Sequence, residues 1–210
     1  MNSIQPKVYH KVIGPMGNNC FLILDQASNT AAIVDPGYDA VSVLDLLPNG
    51  ARVDHILITH GHFDHVAGVA DVVEETGANI VIHSADTDLM LMASDVARSF
   101  GMSCPTPPEP HSFFDGLTEF WVGSVKLEIR HIPGHSPGGV ALVVGEMVIV
   151  GDALFAGSIG RTDLPGADHQ VLIESIRTQL LVLPDETQAL PGHGPFTTIG
   201  QERRSNPFLV

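Results

Sequence analysis

Apolar runs separated by turn-forming clusters divide the chain into short elements. Lys7 to Ile13 and Cys20 to Leu24 read as two strands joined by the turn-rich Gly14-Pro15-Met16-Gly17-Asn18-Asn19. Thr30 to Val34 reads as a third, stopped by Asp35-Pro36-Gly37. Apolar residues at 40, 41, 43, 44 and 47 predict a short helix over 39–47, ended before Pro48. Val53 to Ile58 has the composition of a buried strand, and Val66, Val69, Ala70 and Val73 then recur at helical spacing, with Gly77 as a C-cap. Asn79 to His83 is a short strand; Ser84 is placed to cap a helix whose Leu89, Met92 and Val96 form a core-packing stripe.

Residues 101–112, with four prolines at 105, 107, 108 and 110, read as an irregular crossing to the second half. There, Trp121-Val122 pairs with Val125 to Ile129 around Gly123-Ser124, and Val140 to Val144 with Met147 to Val150 around Gly145-Glu146. Asp168 is placed to cap a helix carrying Val171, Leu172, Ile176 and Leu180. Each half is thus strands followed by helix. The expected fold class is α/β (α+β), two mixed sheets packed face to face with helices outside, in a single domain over 1–210.

Composition narrows the function. The chain has 44% hydrophobic and 16% charged residues, which fits a packed core. Its net charge is −14, and Arg203-Arg204 is its one basic cluster, so a nucleic-acid partner is not expected. No apolar run is long enough to span a bilayer, and Met1 to Lys7 lacks the features of a signal peptide, so the expected location is cytoplasmic, with no membrane partner. Cys20 and Cys104 are too few for a disulfide framework or a thiolate metal site and read as two reduced thiols. The compositional oddity is histidine, at 11 residues.

Four metal-capable side chains crowd into residues 60–65, just past the Val53–Ile58 strand: His60, His62, Asp64 and His65. Two apart in extended backbone, His60 and His62 share a face and can chelate one ion. Asp64 and His65 lie past the turn, which suggests a second ion. Three more strand-end loops return such residues: His135 in Pro133-Gly134-His135-Ser136-Pro137-Gly138-Gly139, Asp152 in Gly151-Asp152-Ala153-Leu154-Phe155, and His193 in Pro191-Gly192-His193-Gly194-Pro195. The neighbouring glycines let backbone approach a metal closely. A closed structural zinc is the weaker explanation, since such sites favour cysteine and stop at four ligands. His10, His55, His83, His111, His131 and His169 match no ligand motif; His83, after a strand, is the one placed near the cleft.

The pattern His60-x-His62-x-Asp64-His65, then His135, Asp152 and His193, resembles the metallo-β-lactamase superfamily over nearly the whole chain. The resemblance implies a four-layer αββα sandwich with a dinuclear metal centre between the sheet edges. It implies that His60, His62 and His135 hold one metal, that Asp64, His65 and His193 hold the other, and that Asp152 bridges. An aspartate at 152, where many true β-lactamases have cysteine, points elsewhere in the superfamily. Gly151 to Phe155 and Ser158-Ile159-Gly160-Arg161-Thr162-Asp163-Leu164-Pro165 resemble the glyoxalase II-like branch. Only seventeen residues follow His193, so the chain resembles the short form, without the helical extension that binds glutathione.

The implied activity is hydrolysis of a small-molecule substrate, an anionic thioester such as a hydroxyacylglutathione, by a metal-bridging hydroxide. Asp64 and Asp152 are the expected catalytic carboxylates. Two divalent metal ions are expected, Zn²⁺ first, with Fe²⁺ or Mn²⁺ compatible with the same ligands. The alternative is a mononuclear iron persulfide dioxygenase, whose metal is held by residues matching His60, His135 and Asp152 alone. Arg161 and Asp163 are expected as a buried ion pair shaping the loop after Asp152, or as support for the metal ligands. Arg203 and Arg204 read as a solvated tail. Oligomeric state is not readable from the chain.

Overall fold

A computed structural model describes residues 6–210. Strands β1 (Lys7–Ile13), β2 (Asn18–Asp25), β3 (Thr30–Val34), β4 (Arg52–Leu57), β5 (Asn79–Ile82) and β6 (Ser112–Phe113) form one sheet in that order. The first three run antiparallel, whereas β3 to β6 are parallel, so their C-terminal ends share one edge. The second sheet has the order β14-β13-β10-β9-β8-β7, from β7 (Glu119–Val122), β8 (Val125–His131), β9 (Val140–Val144), β10 (Met147–Gly151), β13 (Gln188–Pro191) and β14 (Thr197–Thr198). A two-stranded ribbon, β11 (Leu154–Phe155) with β12 (Ser158–Ile159), follows β10.

Side-chain alternation makes the layers. On β2, Phe21 and Ile23 face the second sheet, and Cys20, Leu22 and Leu24 face the opposite way; β3 divides Ala32 and Val34 from Ala31 and Ile33 in the same manner. Strands covered on both faces read as unbroken apolar runs, as β2 and β3 do. Val122, Leu127, Ile129, Leu142, Val144 and Ile149 answer from the second sheet and complete the inter-sheet core.

Helices cover the outer faces. α1 (Phe63–Val66), α2 (Val69–Thr76), α3 (Thr87–Leu91) and α4 (Ala93–Ser99) pack Val66, Val69, Val72, Met90, Ala93 and Ala97 onto the first sheet. α5 (His169–Ser175) and α6 (Ile199–Ser205) pack Leu172 and Ile199 onto the second, joined by Ile176 and Leu180 from a π-turn after α5. The result is a mixed α/β sandwich of four layers, αββα.

Most predicted elements lie where the patterning put them, with informative differences. The 39–47 segment is a 3₁₀-helix, Ala40–Leu46. Gly77 does end α2, in the left-handed region at φ 69°, with its N–H donating to the Val73 carbonyl. Asp168 caps α5, accepting from the Val171 N–H at 3.0 Å. The predicted helix after Ser84 is instead a 3₁₀ turn (84–86) followed by α3 and α4, which meet at Met92. That break shifts the buried stripe to Met90, Ala93 and Ala97 and leaves Met92 55% exposed. α6 was not predicted; Arg203 and Arg204 are its last turn rather than a tail, bound to Asp185 and, from Arg203, to the Leu181 and Leu183 carbonyls.

Candidate metal centre

Every candidate ligand stands at the carboxyl end of a strand. His60 and His62 follow β4, and Asp64 and His65 occupy the first turn of α1. From the second sheet, His135 follows β8, Asp152 follows β10 and His193 follows β13. Strand ends facing each other across a sandwich leave a cleft whose polar lining comes from loops on a rigid base.

The side chains fall into two groups that meet. His60, His62 and His135 each offer a ligand atom within 4.8 Å of one another, as do Asp64, His65 and His193. Asp152 stands between the groups: its carboxylate oxygens lie 3.9 Å from His135 Nε2, 3.3 Å from His65 Nε2 and 3.7 Å from His193 Nε2. Asp35, His60 and His65 form a third such group, but Asp35 is otherwise engaged.

Hydrogen bonds fix which ring nitrogens face inward. His135 Nδ1 donates to the Arg161 carbonyl at 2.8 Å. His65 Nδ1 lies 3.1 Å from Asp35 Oδ2, and His60 Nδ1 lies 3.1 Å from Thr59 Oγ1, whose own proton goes to Asp35 Oδ2 at 2.6 Å. His60 and His135 therefore keep a proton on Nδ1 and turn a lone pair on Nε2 into the cleft, and His65 likewise points its Nε2 inward. His60 Nε2 is buried without any hydrogen-bond partner, and His65 Nε2 and Asp152 Oδ1 have only each other, at 3.3 Å. Buried polar atoms are rarely left so, and three of them among the candidate ligands of one cleft fit bound cations. The donor set, imidazole with carboxylate, is one that divalent transition metals accept.

Electrostatics separates the histidines. Burial pushes His60 well below the ordinary imidazole range, with His65 and His62 adding to the shift. Burial and the nearby His135 bring His62 down to about 4, so both rings are neutral near pH 7. At His65 burial also lowers the pKa, but Asp152 and Asp64 outweigh it and hold the ring well above its usual value. Asp64 resists the upward push of burial because His65 and hydrogen bonds from His193 and Asn18 hold it far below the carboxylate range. Asp64 and Asp152 thus hold on His65 a positive charge that a bound cation would replace.

Several supporting residues carried no recognisable signal in the chain. Asn18, the first residue of β2, donates to Asp64 Oδ2 at 3.0 Å and lies 3.3 Å from His193 Nε2. Asn19 ties the same hairpin to the Pro191 and Gly194 carbonyls. Asp35 was legible only as a strand stop. Gly192 is a packing requirement: a Cβ there would lie 2.3 Å from Asp152 Oδ1 and 2.5 Å from His65 Cε1.

The Arg161–Asp163 pair corrects an expectation. It forms, at 2.7 Å, but its side chains are 60% and 69% exposed, because the 160–168 loop runs over the surface. Arg161 supports His135 through its backbone carbonyl. Of the unassigned histidines, His83 stacks on His131 with ring centroids 4.3 Å apart and planes 3° from parallel. None of His10, His55, His83, His111, His131 and His169 joins a metal-capable group among the described residues.

Comparison with known proteins agrees with this geometry. The profile of the Metallo-beta-lactamase superfamily matches residues 13–193. Hydroxyacylglutathione hydrolase GloC of Haemophilus influenzae is 40% identical over 197 residues, covering 91% of this chain and 92% of its own. Among solved structures, the BLEG-1 B3 metallo-beta-lactamase superimposes with a TM-score of 0.89 at 33% identity, over 97% of this chain and 100% of that one. TTHA1623 in a di-iron-bound form gives 0.87 at 40% identity, over 96% and 100%.

Proposed function

The chain belongs to the metallo-beta-lactamase superfamily, and from that membership we propose that it is a metal-dependent thioester hydrolase of the glyoxalase II-like kind. Its substrate in this reading is a hydroxyacylglutathione or a similar small anionic thioester, cleaved to thiol and hydroxy acid. The observation that carries the metal requirement is the burial of His60 Nε2, His65 Nε2 and Asp152 Oδ1 with no hydrogen-bond partner outside the candidate ligands. The choice of a thioester rests on the likeness to GloC along nearly the full length of both chains.

In this reading residues 1–210 act as a single domain, located in the cytoplasm, without a nucleic-acid partner. Among the described residues no helix is long and apolar enough to cross a membrane. His60, His62 and His135 hold one divalent ion; Asp64, His65 and His193 hold a second; Asp152 serves both. Zinc suits these donors, and iron or manganese is compatible with them.

Bound there, the ions would bring the pKa of a water to about 7 and polarise the thioester carbonyl. The protein's own groups do the rest. Asp64, ionised and gripped by Asn18, is positioned to orient the attacking water. Asp35 holds His65 by its Nδ1, and the Arg161 carbonyl holds His135, so neither ring can turn its Nε2 away from the cleft. The leaving thiol has a pKa near ~8.5 and departs as thiolate with little acid assistance.

The competing reading, an iron persulfide dioxygenase, requires His60, His135 and Asp152 only. A complete second group at Asp64, His65 and His193 favours the hydrolase. The test is hydrolysis of lactoylglutathione by metal-stripped protein reloaded with zinc, iron or manganese, beside a chromogenic cephalosporin and anaerobic controls. Thioester turnover that is lost on chelation and restored by metal is expected. Cephalosporin hydrolysis alone, or oxygen uptake with glutathione persulfide alone, would replace the proposal.

A further inference from the structure

Asp86 is fully buried at the end of the 3₁₀ turn after β5 and belongs to no metal-capable group. Its carboxylate nevertheless joins two of the candidate ligand loops. Oδ2 accepts the Gly61 N–H at 2.9 Å and the Ser136 hydroxyl at 2.6 Å, and Oδ1 accepts the Gly138 N–H at 2.5 Å. Gly61 lies between His60 and His62, and Ser136 adjoins His135. The first loop comes from one sheet and the second from the other, so the carboxylate spans the sandwich.

Packing around Asp86 is independently close. A Cβ at Gly61 would meet the Asp86 carbonyl oxygen at 2.5 Å, and one at Gly138 would meet Asp86 Cγ and Oδ1 at 2.8 Å. The glycines in both loops are thus required by the approach to this turn. All three partners are donors, which a carboxylate satisfies and an amide cannot: either orientation of an asparagine points an N–H at a backbone N–H.

We propose that Asp86 is a positioning residue that sets the separation of His60 and His62 from His135, and so tunes the first metal position selectively. The inference rests on the dinuclear reading above. The second position, Asp64, His65 and His193, is held by Asp35 and Asn18, which Asp86 does not touch, although Asp35 also reaches His60 through Thr59. Replacing Asp86 should therefore weaken one metal and spare the other.

The test is zinc titration against a chromophoric chelator, with thermal unfolding of each metal-free chain. Asp86→Asn is introduced into two backgrounds, His193→Ala and His62→Ala, each retaining one intact group. In His193→Ala the remaining zinc affinity should fall about tenfold or more on adding Asp86→Asn, the scale typical of lost outer partners. In His62→Ala it should stay within twofold. Ser136→Ala, which removes one of the three bonds and leaves the carboxylate in place, should give a smaller fall of the same selectivity if Asp86→Asn does not fold. Equal loss in both backgrounds, or no loss in either, would overturn the assignment. Failure of the unsubstituted chain to bind two zinc ions would instead overturn the dinuclear reading.

Discussion

Asp35 and His65 are held 3.1 Å apart with both side chains completely buried, and the same carboxylate takes the Thr59 N–H and hydroxyl. Asp35 thereby orients His65 directly and His60 through Thr59. It sits at φ 52°, a conformation that asparagine also tolerates. Asp35→Asn therefore leaves the backbone undisturbed while setting an amide among three donors. Breaking such a buried pair costs roughly 3–5 kcal/mol. Urea unfolding of the metal-free protein should show a loss of that order; one below about 1 kcal/mol would mean that the pair is not structural.

Gly192 makes a second prediction. Its Cβ position is filled by Asp152 and His65, whereas a Cβ on Gly194, two residues on, would meet nothing within 4 Å. Gly192→Ala should displace both ligands and reduce bound metal and turnover together. Gly194→Ala, at φ 72°, should cost only about 1–2 kcal/mol of backbone strain and leave metal content unchanged. Metal analysis of the two purified variants decides; equal content would mean that the 191–195 loop yields without consequence.

Residue type explains why the seven candidate ligands were legible and their supports were not. A single histidine beside glycine is common in loops, but four loops bearing metal-capable residues, each at a strand end, point to a metal before any fold is known. Asp35, Asp86 and Asn18 are ordinary turn formers at strand ends. Their roles arise from partners 24 to 175 residues away, which only the closed sandwich supplies. Strands such as Lys7–Ile13 and Thr30–Val34 were readable because turn clusters bound them on both sides. The 84–99 helix was misphased because its break at Met92 leaves no mark in hydrophobicity.

That phase error is itself testable. Met90 has no exposed surface, while Met92 is more than half exposed. Met90→Ala should destabilise by roughly 2–5 kcal/mol, as expected for a filled core site. Met92→Ala should stay within about 0.5 kcal/mol. Denaturant midpoints of the two variants in the reverse order would restore the stripe through Leu89, Met92 and Val96.

Acid stability should depend on Asp25, far in sequence from the ligand loops. This buried carboxylate closes the turn after β2 against the β7–β8 turn, accepting from the Ala27 N–H, the Ser28 hydroxyl, and the N–H and hydroxyl of Ser124. Burial pushes its pKa up, but the bonds from Ser124, Ser28 and Ala27 outweigh that and bring it to about 2. An unfolded aspartate titrates near ~3.9. A folded pKa below the unfolded one means that the unfolded chain takes up the proton first as pH falls. Asp25 therefore contributes its full stabilisation above about pH 4, and that contribution declines towards pH 2. Asp25→Asn should lower the melting temperature at pH 7 and flatten its fall between pH 4 and pH 2 relative to the unsubstituted chain. Other carboxylates, Asp64 and Asp152 among them, also protonate in acid, but they are common to both proteins and cancel in the difference. Parallel melting curves across that interval would mean that Asp25 does not couple folding to protons.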